Sequence, residues 1–166
     1  MWYLLYNTLL LLLSPVILCV LLAKQRCRRG LRQRLGLLTE QPLAPGLTTA
    51  CIWIHAVSLG EVVAVAPLVR ELRRRYPLAR LVVSTVTETG REAVEQRLEG
   101  LAEHRYAPLD FPWVVNRAIA HLRPSLYVFV ETELWPNLLR SLRRRNIPSV
   151  LVNGRLSTRS FERQRL

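Results

Sequence analysis

Hydrophobic and polar positions divide the chain into three zones. From Met1 to Ala23 there is no charged side chain. The run "LLYNTLLLLLSPVILCVLLA" is long enough, at about 1.5 Å per residue, to cross a bilayer as a helix. It stops at "KQRCRRGLRQRLG", where Lys24, Arg26, Arg28, Arg29, Arg32 and Arg34 stand with no acid before Glu40. The positive-inside rule keeps such a cluster in the cytoplasm. Residues 1–23 are therefore expected to form a single-pass transmembrane anchor, with everything after it cytoplasmic. Trp2 and Tyr3 would mark the far interface. A cleaved signal peptide would want a basic segment before the apolar run and a small-residue site after it, and neither is evident. Residues 24–49 continue as a basic juxtamembrane segment and the linker "TEQPLAPGLTTA", punctuated by prolines and a glycine.

From residue 50 the pattern alternates. "ACIWIHAV", "ARLVVSTV", "HRYAPLD", "SLYVFVE" and "PSVLVNG" read as strands with almost continuous apolar content. Between them lie four helical stretches: "GEVVAVAPLVRELRRRY", with Pro67 as an awkward interior residue or kink, then "TGREAVEQRLEGL", "PWVVNRAIAHLR" and "LWPNLLRSLRRRN". Asp110 is placed to cap the third of these. The order βαβαβαβαβ predicts an α/β domain over residues 50–166, a parallel sheet covered by helices on both faces.

In open parallel sheets, ligands bind beyond the carboxyl ends of the strands. Those ends carry Ser58-Leu59-Gly60-Glu61, Thr85-Val86-Thr87-Glu88-Thr89-Gly90, Asp110, Glu131-Thr132-Glu133 and Asn153-Gly154-Arg155. In a chain that is half apolar, such a polar and glycine-rich set marks a candidate site. Its chemistry is not that of common nucleotide folds, because neither GxGxxG nor GxxxxGK[ST] occurs. His55, His104 and His121 are scattered without metal-ligand spacing, and His55 reads as a core histidine within a strand.

Charge then narrows the partners. The 166 residues hold 24 Lys+Arg against 12 Asp+Glu, a formal charge of +12. An anionic partner follows: nucleic acid, an anionic lipid surface or a phosphorylated substrate. Nucleic acid fits worst, since the arginines cluster at helix ends, as in Arg73-Arg74-Arg75 and Arg143-Arg144-Arg145, without interleaved aromatics. Such clusters usually complement the helix dipole as solvated charges, and could equally meet anionic head groups. The cysteines Cys19, Cys27 and Cys51 form neither a disulfide framework nor a zinc site, which fits a reducing compartment.

Glu61 has two readings. Ser58-x-x-Glu61 fits a capping box, worth about 1 kcal/mol. A carboxylate at a strand end can also serve as a general base. Glu131, directly after an apolar strand, is harder to assign to a cap, and Arg155 is a candidate partner for it. Glu133 opens the next helix, where the dipole favours an acid. "STVTETG" offers hydroxyls and a helix start suited to an anionic group, with Arg91 beyond, although Thr89 with Glu92 also fits a capping box.

"HAVSLGE", "STVTETG", "Y-x-P-L-D-F-P", "ETELWPN" and "VNGRLSTRS", in this order and spacing, closely resemble the 3-deoxy-D-manno-octulosonic acid (Kdo) transferases of Gram-negative bacteria. The likeness spans the whole chain but at most the first half of such an enzyme. It implies a GT-B glycosyltransferase fold, with two Rossmann-like domains around a cleft and residues 50–166 as the acceptor-binding one. It implies inverting transfer of Kdo from CMP-Kdo to a lipid A precursor at the inner membrane, without a metal or other cofactor. By the same resemblance Glu61 is the catalytic base, and a second essential glutamate lies in "ETELWPN", matched best by Glu131, with Glu133 as the alternative. Ser58, Gly60, Thr85, Thr87, Thr89, Arg91 and Glu133 are then expected acceptor contacts. The donor domain that binds CMP would lie beyond Leu166, so the 166 residues alone are expected not to transfer Kdo at a useful rate. A different class stays open: a non-catalytic, membrane-anchored module binding anionic lipid or a protein partner.

Overall fold

The computed structural model describes residues 2–23, 28–37, 50–131 and 134–154. Helix α1, Trp2–Ala23, is followed by one turn, α2, Leu31–Arg34. The alternating zone then forms β1 Cys51–His55, α3 Leu59–Arg75, β2 Arg80–Thr85, α4 Glu88–Arg97 and β3 Glu103–Tyr106. It continues with α5 Pro112–Leu122, β4 Leu126–Val130, α6 Pro136–Arg144 and β5 Ser149–Val152. All strand pairs are parallel, in the order β3-β2-β1-β4-β5. The order reverses between β1 and β4, which is where open α/β sheets hold their ligands.

Both faces of the sheet are covered, as the apolar strands require. Ile52, Ile54, Val83 and Val128 pack against α3 and α4 through Val62, Val69 and Val94. On the other face Trp53, Val82 and Tyr127 meet α5 and α6 through Val115, Ile119, Leu138 and Leu142. Each aliphatic side chain buried this way contributes roughly 1.5–3 kcal/mol. Trp53 is fully buried, edge-on to Tyr127 at 5.1 Å between ring centroids. The fifth strand departs from expectation. As the sheet edge, β5 leaves Val150 and Leu151 nearly half exposed. Pro67 lies on the exposed side of α3, which runs past it without a break.

Arg73 was expected to be a solvated helix-end charge, but it ties three carbonyls together instead. Its guanidinium donates to Leu101 O (2.8 Å), Pro77 O (2.8 Å) and Ala79 O (2.9 Å). Asp110 also differs: α5 begins at Phe111-Pro112 with no side-chain cap. The Asp110 carboxylate accepts instead from the amides of Asn137 (3.0 Å) and Leu138 (2.8 Å), capping α6.

The basic juxtamembrane segment is packed onto the domain where it is described, whereas the linker read at residues 39–49 lies outside the described residues. Leu109 N donates to Arg34 O at 2.8 Å, Tyr106 N donates to Gln33 Oε1 at 2.8 Å, and the Arg34 guanidinium lies 4.6 Å above the Tyr106 ring. Gly30, at φ 68°, passes so close to that ring that a Cβ would sit 1.8 Å from Tyr106 Cδ2. Among the described residues α1 is the one helix long and apolar enough to cross a membrane. It touches the domain near its start, where Tyr6 donates to Asp110 at 2.9 Å, and near its end, where Leu21 is buried.

Candidate functional site

The carboxyl ends of β2, β1, β4 and β5 stand side by side, with His55 level with Ser84 on one side and Phe129 on the other. At the β1–α3 corner Ser58 is the N-cap in extended conformation, its hydroxyl facing Glu61 N at 3.5 Å. The Glu61 carboxylate accepts from Val57 N (2.9 Å) and from the Ser58 hydroxyl (2.9 Å), and the residue is 7% exposed. Glu61 thus reaches one residue further back than a standard capping box, whose acid bonds the N-cap amide. Gly60 lies in the open first turn, where a Cβ would meet nothing nearer than Ser58 Oγ at 4.0 Å. Packing within the protein does not demand a glycine there, although close approach of a ligand would.

The β2–α4 corner is stitched to this one. Val86 N and Thr87 N both donate to Val57 O (3.0 and 3.3 Å). Thr87, not Thr89, caps α4, accepting from Gly90 N at 3.1 Å; Thr89 lies in the helix's first turn, exposed, donating to Thr87 Oγ1. The Thr85 side chain is fully buried, its hydroxyl bonded to Thr87 O (3.2 Å) and facing His104 Nε2 (2.9 Å). It supports the loop from beneath, because it points into the core. Arg91 is half-buried and paired with Glu88 at 2.7 Å and with Glu95. Glu88, named in the sequence only as one of the strand-end residues and given no role, gathers this corner: the Tyr106 hydroxyl donates to it at 2.6 Å and Arg29 at 2.9 Å. Burial pushes its carboxyl up, but the bonds from Tyr106, Arg29 and Arg91 together outweigh this and hold it at about 2.

At the β4–α6 corner Glu131 turns the chain in the left-handed region, φ 56°. Its amide donates to Val152 O at 3.1 Å, and its carboxylate accepts from Asn153 Nδ2 at 3.5 Å. Asn153, ending β5, is also left-handed at φ 53°. A left-handed glutamate is strained, and such strain collects at functional sites. Thr132, Glu133 and Arg155 lie outside the described residues.

Beneath this corner His55 is fully buried, with Nδ1 2.9 Å from Ser84 Oγ and the ring edge-on to Trp135 at 5.0 Å. Burial lowers its pKa to about 4; His104 is also brought to about 4, first by burial and then by Arg91. Neutral, aromatic-packed rings fit the core role read for His55. Among the described residues no three His, Cys, Asp or Glu side chains gather to hold a metal.

The sequence that forms this site is similar to those of known proteins. The family model described as 3-deoxy-D-manno-octulosonic-acid transferase (kdotransferase) matches residues 29–166. The chain is 41% identical over 167 residues to the 3-deoxy-D-manno-octulosonic acid transferase of Haemophilus influenzae, covering 98% of this chain and 38% of that one. It is 38% identical over 112 residues to a probable mitochondrial 3-deoxy-D-manno-octulosonic acid transferase of Arabidopsis thaliana, covering 68% and 25%. With the Chlamydia pneumoniae 3-deoxy-D-manno-octulosonic acid transferase the identity is 31% over 150 residues, 90% of this chain and 34% of the relative. The chain therefore spans less than half the length of these relatives. The family match extends from α2 through every strand-end corner described above, and the chain belongs to the Kdo transferase family.

Proposed function

We propose that this chain is the acceptor-binding, Rossmann-like part of a GT-B enzyme that transfers Kdo from CMP-Kdo to a lipid A precursor. The reaction inverts the anomeric centre and takes place at the cytoplasmic face of the inner membrane. The observation that carries the reading is the seating of Glu61, a carboxylate at the topological switch point, oriented by the Val57 amide and the Ser58 hydroxyl. Glu61 takes the proton from the attacking sugar hydroxyl as the new C–O bond forms at the anomeric carbon and the CMP phosphate departs from the opposite face. Glu131 is the second essential carboxylate, held at the neighbouring strand end by its left-handed turn.

The acceptor's sugar and phosphate groups lie over Ser58, the open backbone of Gly60 and the capped start of α4 at Thr87, with Thr89 and Arg91 around them; Glu133, outside the described residues, is a further acceptor contact. Thr85 contributes by holding that loop. CMP-Kdo is bound by donor-side residues beyond this domain, and the mechanism needs no metal. The arginine-rich surface favours a phosphorylated lipid substrate and anionic membrane lipids over nucleic acid.

One observation favours a second reading: both Glu61 oxygens already accept bonds within the corner, as in a purely structural cap of a membrane-anchored binding module. Glu61→Gln in the native membrane-bound protein separates the two. A catalytic base predicts at least a ~10²-fold loss of Kdo transfer with acceptor binding retained. Unchanged transfer from the folded variant sinks the base; absence of any transfer from the native protein leaves the binding module.

A further inference from the structure

Helix α1 meets the same domain at both of its ends. Near its start the Tyr6 hydroxyl donates to Asp110 at 2.9 Å, Asn7 Oδ1 accepts from Asn137 Nδ2 at 2.7 Å, and the Arg140 guanidinium lies 4.3 Å above the Tyr3 ring. Tyr6 and Leu21 are about 22 Å apart along the axis at 1.5 Å per residue. There Leu21 is buried, and a cleft of about 360 Å³ runs between Leu18 and Leu21 on one side and Leu35, Leu109, Phe111 and Val114 on the other. Just beyond, Arg28 donates to Leu22 O at 2.6 Å.

A helix that crosses a bilayer puts its ends on opposite sides of about 30 Å of hydrocarbon. One domain cannot touch both ends unless Asp110, Arg140 and their neighbours enter that layer, which charged groups strongly resist. The polar pair Tyr6 and Asn7 is satisfied by the domain, where hydrocarbon would leave it unmatched. The outward side is apolar, with Trp2, Leu4 and Leu12 exposed by 76%, 75% and 71%. Cations flank both ends: Arg140, Arg143 and Arg144 beside Tyr3, and Arg28 and Arg29 at the other. A single-pass span would concentrate them at one.

We propose that α1 does not cross the membrane but lies within the cytoplasmic leaflet, docked along the domain through Tyr6–Asp110 and Asn7–Asn137. Its outward face sits among acyl chains, and the arginines at both ends rest on anionic head groups. This orientation holds whether or not the domain transfers Kdo.

The test uses the native protein in bacterial inner membranes, with Cys19 and Cys27 replaced by serine and a single cysteine introduced as Tyr3→Cys, at head-group level beside Arg140, Arg143 and Arg144. A membrane-impermeant maleimide is expected to label inverted vesicles, with loss of label in intact spheroplasts. Labelling from the outer side, or protection from both sides, overturns the proposal. In a second variant, Asn7→Cys with Asn137→Cys is expected to form a disulfide under mild oxidant in the vesicles. A folded variant, shown by an unchanged tryptic pattern, that forms none refutes the docking. The chain is expected to stay with the vesicles through alkaline carbonate. Release would show that a protein, not lipid, covers the apolar face.

Discussion

Glu61 and Glu131 end neighbouring strands, yet the chain leaves each strand differently. At Glu61 it turns in ordinary extended and helical conformations, and the Val57 amide and Ser58 hydroxyl that bond the carboxylate lie within four residues of it. At Glu131 the backbone is left-handed, the side chain's recorded bond is a 3.5 Å contact from Asn153, and the helix that follows is capped by Asp110 from across the sheet. The first corner bonds its carboxylate with its own residues at the start of α3. The other holds its carboxylate only when β3, β4 and β5 are all in place.

The sharpest way to break this contrast is a paired substitution. Glu61→Ala and Glu131→Ala are each expected to lower transfer by ~10²-fold or more. Only the first is expected to destabilise the fold, by about 1 kcal/mol, because only the first removes a cap. Rates and urea midpoints measured on the same preparations decide it; equal destabilisation by both would erase the distinction.

Next in size is Asp110→Ala, which strips two backbone amides of a buried carboxylate and is expected to cost about 3 kcal/mol. Burial raises the Asp110 pKa, against the bonds from Asn137, Tyr6 and Leu138, so the site does not demand the charge. Asp110→Asn should accordingly lose under about 1 kcal/mol in the same unfolding assay, since asparagine caps equally well.

Acid probes the layer beneath the corners. His55 and His104 titrate near 4 in the fold, below the ordinary 6.5. Their contribution is present above pH 6.5 and lost as pH falls through about 4, because the unfolded chain takes up protons first. Stability should drop by up to about 3 kcal/mol for the fully buried His55 over that window. Asp110 acts in the opposite sense, favouring the fold as it protonates. His55→Phe should flatten the profile between pH 4 and 6.5, and an unchanged slope would assign the acid sensitivity elsewhere.

The smallest effect is Glu131→Gly. Relief of a left-handed residue, less the added entropy of glycine, should raise stability by about 1 kcal/mol while transfer is lost. A loss of stability would mean that the Asn153 contact outweighs the strain.

Much of this molecule was legible from spacing alone. Alternating apolar strands and helices demanded a covered parallel sheet, and Ser58-x-x-Glu61 implied the helix start that forms. Both are short-range consequences, one of periodicity and the other of atoms within one helical turn. The motif order likewise pointed to the family before any fold was in view. Where pattern reading erred, the deciding contact was remote or one turn of chain was ambiguous. The local rule favoured Thr89, which has Glu92 three residues on, and the packing of the β2 loop onto Val57 chose Thr87.

Asp110 sits just before α5, but the strand order carries it to the start of α6, 27 residues further on. The exposure of β5 follows from its place at the sheet edge, which apolar content cannot reveal. For α1 composition established length and hydrophobicity, the requirements for entering a membrane. Its bonds to Asp110 and Asn137, more than a hundred residues away, exist only once the sheet has brought those residues to one face. Local hydrogen bonding and periodicity are written in neighbouring residues, whereas the partners of a buried or docked polar group depend on which strands become neighbours.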